Sequence, residues 1–249
     1  MLQLWRENYY KDEKIMALPK LDTPTYQLEL PSNKQVVKYR PFLVKEQKIL
    51  MMAQDADDKE DTYDMLSNVV SGCTFNSIDI KTMPIFDFEY LFLKIRCKSV
   101  GETAELSVLC PDDNVTRVPV TVDLDEIDVQ VEDGHNNVIG VNDNIKIIMR
   151  YPTVNDIKSV DEAETLNNIM KLLKVCIHEI HDSDTIHSMV DITNAELDDF
   201  IDSLPTDVFE KMGVFFNTMP RLTHVLEVKN PKTEVTSEVV IQGMESFFS

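Results

Sequence analysis

The segment from residue 84 to 99, PIFDFEYLFLKIRCKS, is the most apolar stretch of the chain and most constrains what it can fold into. Its large apolar side chains recur at helical spacing: Phe88, Leu91, Phe92 and Ile95. Pro84 suits the first turn of a helix, where a missing N–H leaves no hydrogen bond unmade, and Gly101 follows the segment. The pattern predicts a buried helix rather than a strand.

Strand patterns lie on both sides of this helix. Apolar and polar residues alternate from Tyr26 to Leu30, turn residues follow, and an extended segment runs on to Pro41, so we expect a β-hairpin. Between residues 104 and 151 the chain alternates again, most regularly from Val118 to Leu124. These segments predict a small antiparallel sheet.

The last third of the chain has helical periodicity from residue 159 onwards. Thr193 and Glu196 have the spacing of a capping box, and Pro205 and Pro220 separate the predicted helices. A closing hairpin turns at residues 230–233.

The predicted fold class is α+β, with a small antiparallel sheet in the N-terminal and middle part, a helical bundle in the C-terminal third and a terminal β-hairpin. The predicted organisation is an N-terminal arm at 1–16, an α+β domain with antiparallel strands at 17–152, and a mainly helical region with a terminal hairpin at 153–249.

Charge limits the partners. The chain carries 24 basic and 44 acidic residues, a formal net charge of −20, which disfavours binding to nucleic acid and to anionic membranes. No apolar run approaches the ~20 residues that span a bilayer, and we expect no cleaved signal peptide. The four cysteines lack CxxC spacing, which fits reduced thiols in a cytosol.

Reactive chemistry is sparse. The sequence contains no phosphate-binding glycine loop, no nucleophile elbow and no HExxH motif. His178 and His181 are three residues apart and would share a face of a helix, which makes them the weak candidates for a metal site, but no well-spaced third and fourth ligand accompanies them. We expect no catalytic residue, no metal and no cofactor, and hence not an enzyme.

Residues 38–53, KYRPFLVKEQKILMMA, couple a short extended segment before Pro41 to an amphipathic helix. Such a segment positions a surface. The residues predicted to bind a partner lie here and on the N-terminal arm: Lys38, Tyr39, Arg40, Phe42 and Leu43, with Trp5 and Tyr9. For Tyr39 and Phe42 core packing is the alternative.

Several segments together resemble one family, the T4-like bacteriophage baseplate hub assembly proteins. They are residues 38–53, 86–102 (FDFEYLFLKIRCKSVGE), 144–152 (NIKIIMRYP) and 200–224 (FIDSLPTDVFEKMGVFFNTMPRLTH), with VKNPKTEV and VVIQGMESFF near the end. In order and spacing they cover residues 17 to 248.

The resemblance implies work on the central hub of the phage tail baseplate, with the baseplate hub proteins as partners. Family members are described as hub subunits or as assembly catalysts. We expect a chaperone-like, non-enzymatic assembly factor in the cytoplasm of the infected bacterium. A permanent structural subunit in the virion baseplate is the alternative, and a cell-wall hydrolase is a third hypothesis. Self-association into a homo-oligomer is left open.

Overall fold

The computed structural model describes residues 21–54, 59–158 and 166–243. Seven helices occur in these ranges: α1 (Val44–Gln54), α2 (Lys59–Cys73), α3 (Ile85–Val100), α4 (Val154–Lys158), α5 (Leu166–Cys176), α6 (Asn194–Asp202) and α7 (Thr206–Thr218). The same ranges contain eleven strands: β1 (Tyr26–Glu29), β2 (Val36–Tyr39), β3 (Thr103–Leu109), β4 (Arg117–Asp123), β5 (Asp128–Gln130), β6 (Val138–Gly140), β7 (Lys146–Met149), β8 (Ile177–His181), β9 (Ile186–Ser188), β10 (Arg221–Lys229) and β11 (Thr236–Gln242).

The predicted buried helix is confirmed as α3. It begins directly after Pro84 and ends before Gly101, whose φ of 140° lies where side-chain-bearing residues are strained. The helix is buried on more than one side: Phe88 and Leu91 belong to one hydrophobic cluster, whereas Leu93 belongs to another. Helix α3 is therefore shared between two parts of the core.

The strands form four small antiparallel sheets, ordered β1–β2, β3–β4, β11–β10–β5 and β6–β7–β8–β9. The first predicted hairpin is confirmed, with Tyr26 opposite Tyr39. The closing hairpin is confirmed too, and its register runs without a shift from Thr223–Gln242 to Lys229–Thr236.

Three hydrophobic clusters make up the core. The first joins the β1–β2 hairpin to α1, α2 and α3. The second lies between α3 and the hairpins β3–β4 and β10–β11. The third packs α5, α6 and α7 against the sheet that contains β7 and β8. The rings of Phe86 in α3 and Tyr151 meet edge to face, with their centroids 5.1 Å apart. Tyr151 in turn stacks on Phe215 of the third cluster, so these rings connect α3 to that cluster.

The predicted helical bundle in the C-terminal third is wrong, and with it the α+β fold class. The fold is mixed α/β, with helices spread through the described residues, and in the last third α5, α6 and α7 alternate with strands β8 to β11. The predicted helix breaks at Cys176, after which the chain forms β8 between β7 and β9. The predicted boundaries at residues 16 and 152 stay predictions.

A bulge explains the error. The β7–β8 register passes from Ile148–Glu179 to Met149–Ile177, so His178 is an extra residue in β8. The extra residue lets Ile177 and Ile180, three positions apart, both be buried. Their spacing therefore matches a helix although they lie on a strand.

Of the helices in the described ranges, none is both long and apolar enough to cross a membrane.

Candidate functional site

Helix α1 and the strand before it contain the segment predicted to bind a partner. Lys38 and Tyr39 lie in β2, as the expected extended conformation requires, and α1 begins at Val44. One side of α1 faces the protein interior, where it packs on α2. The residues on that side are Glu46, Ile49, Leu50 and Ala53.

Arg40 and Glu46 form an ion pair inside the protein. Arg40 is 6% exposed and Glu46 is 3% exposed. The guanidinium donates from Nη2 to Glu46 Oε1 at 2.8 Å and from Nη1 to Glu46 Oε2 at 3.3 Å, a two-pronged contact that fixes orientation as well as distance. Because both groups are buried away from water, each stabilises the charged form of the other.

Further hydrogen bonds extend this ion pair into a network across three elements. Arg40 Nη2 also donates to the Gly72 carbonyl at 3.0 Å, near the end of α2. The backbone N–H of Leu43 donates to Glu46 Oε2 at 2.9 Å, at the start of α1. The network thus fixes the position of α1 relative to β2 and α2.

Gly72 permits this close approach. A Cβ at that position would lie 3.2 Å from Glu46 Oε1, closer than side-chain atoms normally come. A larger residue would therefore displace the Glu46 carboxylate.

The environment favours the charged form of both partners. Burial acts to raise the pKa of Glu46, but the hydrogen bond from Arg40 and that from the Leu43 N–H outweigh it, so the pKa lies below its ordinary value. The hydrogen bond to Glu46 raises the pKa of Arg40. Burial raises the pKa of the neighbouring Cys73 thiol to about 11, so this thiol stays protonated.

The opposite side of α1 exposes large apolar side chains. Val44 is 74% exposed, Met51 59% and Met52 62%. At 100° per residue, positions 44, 51 and 52 lie on one side of a helix, with Lys48 between them. We call the surface formed by Val44, Lys48, Met51 and Met52 the α1 face. None of its apolar side chains belongs to the three clusters described above.

The structure separates the predicted binding residues into two groups. Lys38 and Leu43 are exposed. Tyr39 is buried, with its ring centroid 5.6 Å from that of Tyr26. Phe42 is half-buried, and its ring centroid lies 5.9 Å from that of Phe92. The backbone N–H of Phe42 donates to Ser99 Oγ at 2.8 Å.

Tyr39, Arg40 and Phe42 therefore hold the segment in place, while Lys38 and Leu43 are exposed to solvent. Trp5 and Tyr9 lie outside the described residues. Binding by any of these residues stays a prediction.

Sequence reasoning missed Val44, Met51 and Met52. The available signal was that residues 44–53 place apolar side chains on both sides of the helix, more than one core contact requires.

The two metal candidates lie on a strand, so their predicted helical geometry is wrong. His178 and His181 both approach the Glu179 carboxylate, with Nε2–O distances of 3.7 and 2.7 Å. Within residues 21–54, 59–158 and 166–243, no group of three or more His, Cys, Asp or Glu side chains is arranged to hold a metal ion.

Most of the chain matches a protein-family model. A family model described as T4 bacteriophage base plate protein matches residues 23–249. Neither the curated proteins nor the solved structures include a match to the chain. The family match spans both β2 and α1, and so includes the whole α1 face.

Proposed function

The chain belongs to the T4 bacteriophage base plate protein family, and from that premise we propose that it is an assembly factor for the baseplate hub. It binds hub proteins in the cytoplasm of the infected bacterium, acts by contact without enzymatic activity, and leaves before the particle is complete.

The observation that carries the proposal is the α1 face. Single exposed apolar residues are ordinary on protein surfaces, but several together on one rigid element are typical of interaction sites. The buried Arg40–Glu46 pair fixes α1, so the face is presented in a defined orientation before any partner arrives. A preorganised surface loses little entropy on binding.

The composition of the face suits a contact that forms and is later released. Methionine side chains are flexible and polarisable, so they adapt to different partner shapes. Lys45 and Lys48 are exposed beside the apolar side chains. Permanent interfaces are typically larger and more apolar than this mixed surface.

The first test is the double substitution Met51→Glu with Met52→Glu. Both side chains are exposed, so the variant is expected to fold with an unchanged thermal midpoint, while hub assembly fails in cells infected with phage that lack the wild-type gene. Assembly is measured as hub complexes separated by sedimentation. The matched control is Ile186→Glu with Val190→Glu, which adds the same charge at residues that are 64% and 92% exposed, away from α1.

Normal assembly with the α1 double variant would contradict the proposed contact surface. Two further measurements test the role itself. Mass spectrometry of purified mature particles is expected to find no copies of the protein, whereas a stoichiometric amount would identify a permanent subunit. The purified protein is expected not to clear a peptidoglycan suspension, and clearing would identify a hydrolase.

A further inference from the structure

Strand β11 is an edge strand without the usual protection. It lies at the outside of the sheet ordered β11–β10–β5. Proteins usually protect an edge with lysine, proline, a bulge or a very short strand. β11 has seven residues, TSEVVIQ, with no lysine or proline, and its register with β10 has no shift. The edge strand β4 contains Pro119, and β6 and β9 have three residues each. Strand β3 is as long as β11 and also has no lysine or proline, so it provides a matched comparison.

The alternation of hydrogen-bonded and non-hydrogen-bonded residue pairs in the hairpin shows which backbone groups face the open edge. Asn230 N donates to Val235 O at 2.8 Å and Gly243 N donates to Leu222 O at 3.0 Å. Hydrogen-bonded and non-hydrogen-bonded pairs alternate in an antiparallel ladder. Counted from either end, Val225–Val240 and Glu227–Glu238 are non-hydrogen-bonded pairs.

The N–H and C=O groups of Glu238 and Val240 therefore point away from β10. Among the described residues, none forms a hydrogen bond with these four groups. They form a row of donors and acceptors that an additional strand would satisfy.

Beside this edge, two glutamate side chains of like charge face each other. Glu227 and Glu238 are exposed and directly opposite each other, at a pair type in which the side chains are closest. Like charges in this arrangement are destabilising. Neither carboxylate forms an ion pair with a described residue. Next to them, Val225 and Val240 form an apolar pair that is 48% and 54% exposed.

We propose that the open edge of β11 binds an extended segment of another protein, which adds a strand to the sheet. That segment carries Lys or Arg opposite Glu238 and an apolar residue opposite Val240. The cation would neutralise the two facing carboxylates, and the apolar residue would cover the exposed valine pair. Strand addition of this kind derives affinity from the backbone and specificity from alternate side chains.

Charge selects this occupant over a second copy of the chain. The strand itself contains no cation, and the chain has a formal net charge of −20. Pairing two β11 edges would bring two Glu227–Glu238 pairs together without a counter-charge. The proposed surface is separate from α1, so it does not depend on the role proposed for the α1 face.

The probe is a fluorescent eight-residue peptide with the repeat Lys-Thr-Val-Thr, which places Lys and Val alternately on one face. Its binding to the full-length protein is measured by anisotropy. The control peptide has the same sequence with N-methyl groups on the Lys and Val residues, whose N–H groups would face β11. The variants are Glu238→Lys and, as a matched charge change on another exposed strand position, Glu105→Lys opposite Thr121.

The wild-type protein is expected to bind the probe and not the N-methylated peptide. Glu238→Lys should weaken binding by about tenfold, because an attraction becomes a repulsion, whereas Glu105→Lys should change it by less than about twofold. Glu238→Lys should also raise the thermal midpoint by about 1–3 °C, since the facing glutamates no longer repel each other. That rise shows that the binding loss is not unfolding.

Four results would overturn the proposal. Absence of probe binding to the wild-type protein excludes strand addition by a basic segment. Equal binding of the N-methylated peptide shows attraction by charge alone. Equal loss in Glu105→Lys shows that the position on β11 is irrelevant. A wild-type dimer that Glu238→Lys dissociates would assign the edge to a second copy of this chain.

Discussion

Arg40 illustrates what a single residue's type can and cannot tell. A cationic residue next to aromatic residues in an extended segment has the composition of a binding anchor, and the sequence offers no reason to bury it. Its burial depends on the Gly72 carbonyl, 32 positions away, and on room for the Glu46 carboxylate beside a glycine. Such contacts between distant positions are set by the fold, so residue type and local pattern could not predict them.

The first prediction at this scale concerns Glu46→Gln. Removing one charge of a buried pair leaves the other unpaired in a site away from water, so we expect the free energy of unfolding to fall by about 3 kcal/mol. Urea denaturation at pH 7 measures the loss. The control is Lys45→Gln, which removes an exposed cation 3.3 Å from the same carboxylate and should change stability by less than about 1 kcal/mol.

The same variant makes a prediction about pH. Because the folded-state pKa of Glu46 lies below its ordinary value of 4.5, acid protonates the carboxyl group in the unfolded chain first. Its contribution to stability is thus complete above the unfolded pKa and is lost as pH falls through the folded pKa. The difference between the wild type and Glu46→Gln should shrink below pH 4.5 in urea titrations. A difference that stays constant down to pH 3 would contradict this assignment.

At the scale of elements, local patterns predicted most hairpins and helices because their signals are short-range. The β10–β11 hairpin, α3 and the start of α6 all follow from alternation, helical spacing or capping chemistry within a few residues. Strand β8 does not, since its bulge depends on pairing with β7. The α1 face was missed for a related reason: which side of an apolar helix is buried depends on α2, and the helix alone does not reveal it.

Thr193→Ala tests one of these local signals. The Thr193 hydroxyl accepts from the Glu196 N–H at 3.3 Å, and the Thr193 N–H donates to Glu196 Oε2 at 2.9 Å, as the predicted capping box requires. Loss of the hydroxyl should lower the free energy of unfolding by about 1 kcal/mol in urea. Thr193→Ser keeps the hydroxyl oxygen and should therefore retain most of the stability that the cap contributes. Equal losses in the two variants would mean that the threonine methyl group, rather than the cap, stabilises α6.

At the scale of the whole molecule, the sequence could not show how the core is divided. It predicted a sheet-containing domain followed by a mainly helical region, because strand and helix patterns dominate different thirds of the chain. In the structure, α3 contributes to two of the three clusters, and strands from the last third complete the second. Leu93 and Leu226 belong to the same cluster although they lie far apart in the chain, and periodicity carries no information about such a grouping.

Net charge gives the final prediction, which belongs to the molecule as a whole. With 44 acidic and 24 basic residues, repulsion among exposed carboxylates opposes the compact state, and salt screens it. Salt also weakens exposed pairs such as Lys211–Asp207, but exposed pairs of this kind contribute little to stability. The Arg40–Glu46 pair is buried and is screened far less.

Repulsion should therefore dominate the effect of salt. Between 20 and 300 mM NaCl we expect the thermal midpoint at pH 7 to rise by about 2–4 °C, the shift that about 1 kcal/mol produces in a chain of this size. Calorimetry in NaCl and in KCl should give the same rise, because screening depends on ionic strength and not on the cation. A midpoint that falls with salt would show that exposed ion pairs outweigh the repulsion, and a rise in only one salt would show binding of a specific cation.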